Sequence, residues 1–173
     1  MVVGAERLAV ADLDPVRRHV ATFGFHLATL DIRQNSAFHD RALARLAAAA
    51  GIEEGAAFAD WDRPQRLDFL RREVAQPRPF ANPGQALGGE AEAAVGVLRL
   101  VADTIQRHGP APIGALIVSM TRDAGDLLAV YLLAREAGLL WSDAAGPWLP
   151  VPVVPLFETI DDLESGPRVM AAY

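Results

Sequence analysis

Two periodicities divide the chain. Residues 26–33, HLATLDIR, alternate strictly: Ala28, Leu30 and Ile32 fall on one face and Thr29, Asp31 and Arg33 on the other, as in a half-buried strand. Residues 115–120, ALIVSM, form an apolar run with β-branched members, and residues 151–159, VPVVPLFET, form another. Pro152 and Pro155 each remove a ladder donor from the last run, which fits an edge or bulged strand.

Between these runs the period becomes helical. Asn35 and Ser36 are N-cap residue types, and Phe38, Leu43, Leu46 and Ala50 follow on one face, with Gly51 as the stop. Trp61, Leu67, Leu70 and Val74 predict a second helix, with Pro64 in its first turn and a Pro77-Arg78-Pro79 turn beyond its end. A third spans residues 90–106 through Ala91, Val95, Leu98, Ala102 and Ile105, and stops at Gly109-Pro110. A fourth, residues 123–137, is rich in leucine and ends at Gly138. Thr159-Ile160-Asp161-Asp162 has capping-box spacing, with Asp in place of Glu, and opens a short helix up to Gly166-Pro167. The first twenty residues read as part of a helix-rich region; residues 76–90 and 139–150 read as flexible loops.

Strands alternating with helices imply βα units and a mainly parallel sheet. Arg33, Ser119 and Glu158 each end a predicted strand just before a helix, the position at which a (β/α)8 barrel gathers its chemistry. A complete barrel takes about 250 residues. Three strands therefore predict a helix-rich α/β fold: a partial (β/α)8, TIM-type barrel of about three βα units with extra helices. Residues 1–173 make one partial domain whose sheet edges stay open.

Composition narrows the chemistry. Sixteen basic and 22 acidic side chains give a formal charge of -6, which argues against the basic surface a nucleic-acid binder needs. Cysteine is absent, so disulfides, thiolate metal sites and thiol nucleophiles are excluded. Every basic residue is Arg, which excludes Schiff-base and P-loop lysine chemistry as well. No apolar stretch of about 18 residues and no signal-peptide pattern occur, so a cytoplasmic protein without a membrane partner is expected.

Longer stretches carry a family pattern. GFHLATLDIRQNSAFHDRALARLAAAAGI resembles the central region of phosphoenolpyruvate carboxylase, with its DIRQ-S segment followed by a His and a helix. LIVSMTRDAGDLLAVYLLAREAGL is similar to that family's VISMA-x-x-x-SDVLAV-x-LL-x-EAG, and VPVVPLFETIDDLESGPRVM to its PLFET-x-DDL-x-x-x-x-x-VM. Trp61 with RLDFLRREVAQPRPF resembles a stretch that ends there in an Arg-Pro-Leu turn. The resemblance implies a lyase that fixes bicarbonate onto phosphoenolpyruvate, giving oxaloacetate and phosphate, with magnesium or manganese, in a large and usually homotetrameric barrel enzyme. The Glu of PLFET is a metal ligand in that family and falls on Glu158; the Arg of DIRQ lines the substrate pocket and falls on Arg33. Elementary chemistry suits both roles, since hard divalent cations take carboxylate oxygen and a guanidinium fork matches phosphate or carboxylate.

The family's TAHPTE segment with the catalytic His, its GYSDS segment with a second metal carboxylate, and its Gly-rich HGRGG loop have no counterpart in these residues. The resemblance thus implies an internal segment of the enzyme, inactive alone and in need of complementary segments. The alternative is a non-catalytic binding or assembly module derived from the enzyme, which takes an anionic metabolite or docks through its open edges. A separate small metal-dependent lyase acting on a keto-acid needs its own base, and none is evident. His26 and His39 do not match the family's catalytic His and read as structural or exposed. Ser119 has no base beside it in sequence, and Asp161 and Asp162 read as cap and helix-dipole residues.

Overall fold

The computed structural model describes residues 5–82 and 84–173. Residues 1–4, part of the helix-rich N-terminal reading, and Pro83, inside the predicted 76–90 loop, lie outside the described residues. In chain order, α1 (Ala5–Leu8), a π-helical turn (Ala9–Leu13) and α2 (Asp14–Phe23) precede β1 (Leu30–Asn35) and α3 (Ser36–Ala49). A 3-10 turn, Gly55–Asp60, leads to α4 (Arg63–Val74), then α5 (Gly89–His108), β2 (Ile113–Ser119) and α6 (Ala124–Glu136). A hairpin of β3 (Trp141–Asp143) and β4 (Gly146–Trp148) is followed by β5 (Val153–Pro155) and α7 (Ile160–Ala172). Strands β1, β2 and β5 form one parallel sheet with β2 in the centre. The architecture is mixed α/β and rich in helix, and among the described residues no helix is long and apolar enough to cross a membrane.

Local chemistry sets the helix starts. The side chains of Asn35, Asp62 and Asp123 accept hydrogen bonds from the amides of Ala37, Gln65 and Gly125, which caps α3, α4 and α6. Thr159 and Asp162 close a reciprocal capping box on α7. Helices α3, α5 and α6 then bury their apolar faces against one side of the sheet. Leu116 and Val118 of β2 meet Leu43, Leu46, Val95, Leu98, Leu127 and Leu133 in a single core. Each such side chain contributes about 1.5–3 kcal/mol by leaving water.

The register gives the other side of the sheet a different character. Arg33 pairs with Ile117 and Ile117 with Val154, so these three share the face opposite Leu116 and Val118. Arg33 and Val154 are exposed there. Polar groups on this face stay solvated, which leaves it free for chemistry.

Several elements differ from the periodicity. β1 begins at Leu30 rather than residue 26, because Leu27 takes a positive φ of 65° and the Ala28 amide turns back to the His26 carbonyl. The neighbouring segment at that level is the Pro110–Pro112 turn, whose prolines offer acceptors but no donors. β5 keeps only three residues, at a sheet edge where Pro155 is tolerated. α7 runs through Pro167 to Ala172, held by buried Val169 and by a hydrogen bond between Tyr131 and Tyr173. The segment read as a 139–150 loop contains the β3–β4 hairpin, in which Trp141 and Trp148 pair edge to face. In the 76–90 loop, Glu136 accepts the Phe80 and Ala81 amides at 2.9 and 3.1 Å, while Arg135 stacks over the Phe80 ring.

A bulge interrupts the β1–β2 ladder at Asp31, whose Oδ1 replaces a backbone acceptor for the Ala115 amide at 2.9 Å. A Cβ on Gly114 would clash with that oxygen. Gly114→Ala is therefore expected to destabilise the chain by about 1–3 kcal/mol in urea denaturation. The cost should shrink in an Asp31→Ser background if the carboxylate is the obstacle, and stay unchanged if it is not.

Candidate functional site at the strand ends

Arg33 and Glu158 lie 125 positions apart and meet at 2.6 Å, Nη2 to Oε1. Arg33 sits in β1 two residues before its end, since the strand runs on to Asn35 through pairing with Val118 and Ser119; Glu158 lies three residues past the end of β5, in the turn that opens α7. Parallel pairing through β2 brings both to the same end of the sheet. Their side chains are 55% and 30% exposed. At that exposure the ion pair itself is worth only about 0–1 kcal/mol, so it orients the two groups without locking them together.

The end of β2 supplies the third side of the site. The Met120 amide donates to Glu158 Oε2 at 3.0 Å, and the Met120 carbonyl accepts from the Ser36 hydroxyl at 2.8 Å. Both Glu158 oxygens are thus engaged, one by a guanidinium and one by an amide. Met120 achieves this with a φ of 56°, a left-handed conformation costing a side-chain-bearing residue about 1–2 kcal/mol. Such a conformation persists only where its surroundings over-determine it.

Those surroundings are a buried charge cluster. Arg66 Nη2 donates to Asp40 at 2.5 Å and to Asp126 at 3.0 Å, while Arg122 Nη2 reaches the same two carboxylates at 2.6 Å each. The Arg122 amide also donates to Asp126 Oδ2 at 2.7 Å. Two cations and two carboxylates balance. Burial pushes the Asp126 carboxyl upward, but the hydrogen bonds from Arg122 prevail and leave it below the usual carboxylate range. Removing one member of such a buried set typically costs about 3–5 kcal/mol, because a partner charge is left uncompensated.

The remaining sequence candidates are placed as follows. Ser119 closes β2, buried and paired in register with Asn35. His26 is exposed in the turn before β1. His39 is buried on α3, and its Nδ1 has no hydrogen-bond partner among the described residues. Asp162 accepts the Glu158 and Thr159 amides, and its hydrogen bonds with Thr159 hold its carboxyl below the usual range. Sequence reasoning did not single out Met120, Asp40, Arg66, Arg122 or Asp126. Two hints were available: the four-residue spacing of Arg122 and Asp126, which suits a local ion pair, and the place of Met120 and Asp126 inside the VISM- and SDVLAV-like stretch.

Glu158 offers the hard oxygen that magnesium or manganese takes, so it fits as one ligand of such an ion. Among the described residues no group of three His, Cys, Asp or Glu stands ready to hold a metal.

Comparison with known proteins gives the family. A family model described as phosphoenolpyruvate carboxylase matches residues 1–173. A phosphoenolpyruvate carboxylase of Aromatoleum aromaticum is 42% identical over 167 residues, covering 96% of this chain and 18% of the relative. Those of Mycobacterium avium and Rhodopseudomonas palustris are 37% and 40% identical over 98% and 94% of this chain. The chain belongs to the phosphoenolpyruvate carboxylase family. It spans about 18% of the length of the curated relatives it matches.

Burial lowers the His39 pKa from 6.5 to about 4. The folded chain therefore keeps His39 neutral where the unfolded chain protonates it. Stability present above pH 6.5 should fall as pH drops from 6.5 towards 4, by about 3 kcal/mol in all. Urea denaturation at pH 7 and pH 5 checks this: His39→Leu should flatten the slope over that window, and an unchanged slope would contradict the assignment.

Proposed function

We propose that this chain forms part of a phosphoenolpyruvate carboxylase, as a single partial domain that makes an arc of its (β/α)8 barrel. Its sheet supports that reading. Among the described residues the core helices pack on the Leu116 and Val118 face of the three parallel strands, and β1 and β5 are the outer strands, with no further strand paired to them. Arg33 also borders a cavity of about 140 Å3 whose walls include Ile32, Phe38, Val97 and Leu98. Such apolar walls suit side chains of a neighbouring segment better than a phosphate.

One observation carries the functional reading: a guanidinium and a carboxylate from distant strands converge at 2.6 Å on the mouth end of the sheet. Arg33 binds the phosphate or carboxylate of phosphoenolpyruvate through its planar fork. Glu158 contributes one oxygen ligand to magnesium or manganese, with its carboxylate oriented by the Met120 amide. A divalent cation there supplies charge neutralisation for the developing enolate and phosphate. The chain's own share is to orient anion and cation side by side. Proton transfer and stabilisation of the carboxylating intermediate fall to groups outside these residues, so carboxylation of phosphoenolpyruvate to oxaloacetate is a property of the completed enzyme.

An assembly role of the isolated chain is the second reading, and the N-terminal helix favours it. Leu13, Val16, Val20 and Phe23 stay exposed along one helix without a partner among the described residues.

Two measurements test the main reading. The purified chain should bind manganese weakly, as followed by electron paramagnetic resonance, and Glu158→Gln should remove that binding. Its production of oxaloacetate from phosphoenolpyruvate and bicarbonate should not exceed that of the Glu158→Gln control, because losing even one member of a catalytic set costs about two to four orders of magnitude. Manganese binding unaffected by Glu158→Gln would remove the ligand assignment, and steady turnover above the control would remove the claim of incompleteness.

A further inference from the structure

The charge cluster beneath the mouth does more than fill the core. Asp126 is the third residue of α6, and its side chain has 0% exposure. Its two oxygens serve the backbone and the guanidinium groups together. Oδ2 takes the backbone amide of Arg122 at 2.7 Å, which fixes the turn between β2 and α6, and the Nε of the same residue at 3.1 Å. Oδ1 takes the guanidinium groups of Arg122 and Arg66, and these reach Asp40 on α3, the helix that directly follows the Arg33 strand.

The turn fixed in this way is the one that holds Met120 in its left-handed conformation. Thr121, between Met120 and Arg122, is buried and donates its hydroxyl back to the Val118 carbonyl at 2.8 Å. Ser36, the first residue of α3, holds the Met120 carbonyl. Met120, whose amide meets Glu158, is therefore clamped through its neighbours: from the β2 side by Thr121, from the α6 side by Asp126 and, at its own carbonyl, from the α3 side by Ser36. Of the three clamps, only Asp126 uses a buried charge; like Ser36, it ties the turn to the helix that follows Arg33, and it does so through the guanidinium groups that reach Asp40.

We propose that Asp126, acting with Arg122, Arg66 and Asp40, is a positioning residue for Glu158: it holds the β2–α6 turn so that the Met120 amide orients the carboxylate towards Arg33 and the cation. None of the four cluster residues is assigned contact with substrate or metal. The proposal rests on Glu158 being a metal ligand, and its test separates the two claims.

The Met120 amide proton reports the contact directly. In the wild-type chain, Glu158→Gln should move that resonance, because a charged acceptor is exchanged for a neutral one. In an Asp126→Asn background the same exchange should leave it nearly still. Asparagine supplies one acceptor oxygen, too few for the turn amide and two guanidiniums. Val101→Ala, a core change on α5 remote from the turn, controls for lost stability and should keep the wild-type response. If Asp126→Asn does not fold, Arg122→Gln serves: its side chain is 37% exposed, and it should give a partial loss of the response. Manganese affinity should fall about tenfold in Asp126→Asn, the scale expected for a group that orients a metal ligand. A Met120 response that survives intact in the folded variant overturns the positioning role while leaving Glu158 as a ligand. Absence of manganese binding to the wild-type chain overturns the ligand reading, and the positioning role with it.

Discussion

A single residue at the end of the central strand, Met120, is the point through which the rest of the site is connected. Its nitrogen faces the carboxylate of Glu158 and its oxygen faces the hydroxyl of Ser36, so the β2 end touches both flanking βα units at once. Met120 reaches both only in a conformation that side-chain-bearing residues avoid. The cost falls on one residue, and the support comes from its neighbours: a buried threonine hydroxyl, the Ser36 hydroxyl and a neutral cluster of two arginines and two aspartates. Convergence of Arg33 and Glu158 follows from that geometry. Parallel pairing brings the strand ends level, and the turn after β2 then sets the direction of the carboxylate.

The cluster itself illustrates how a core holds charge. Asp40 and Asp126 come from helices that follow different strands, while Arg66 and Arg122 come from a third helix and a turn. Each guanidinium bridges both carboxylates, so no charge is left without an opposite neighbour. An apolar substitute of equal volume would pack as well in such a place. What it would not provide is a set of directed bonds reaching the backbone of the turn. That difference gives a physical reason for keeping ions where leucines would suffice. His39, buried nearby and neutral, shows the contrasting solution, in which an ionisable group loses its charge rather than finding a partner.

Much of this arrangement was legible in the residues. Asn35, Pro64, Asp123 and Thr159 each fall at a helix start, because short polar side chains satisfy free amides and a first-turn proline has none to satisfy. Arg33 and Glu158 stood out at the ends of strand-like runs and within the DIRQ and PLFET motifs. Other features depend on partners distant in the chain. The first half of the alternating run at residues 26–33 is no strand, since the segment that would pair with it is a proline turn. α7 passes through Pro167 because Val169 and Tyr173 find contacts beyond it. The tryptophan hairpin is invisible to periodicity because each strand is only three residues long. The positive φ of Met120 left no trace either, since methionine is not a residue that marks such a site.

Mapping the site with a paramagnetic ion offers the most direct test that chemistry gathers at one end of this sheet. Manganese added to the 15N-labelled chain should broaden the amide resonances of Met120, Glu158 and Arg33 first, and leave those of His26 and Ile113 at the opposite strand ends sharp. Broadening centred on those opposite ends, or spread evenly over the acidic surface, would contradict the account.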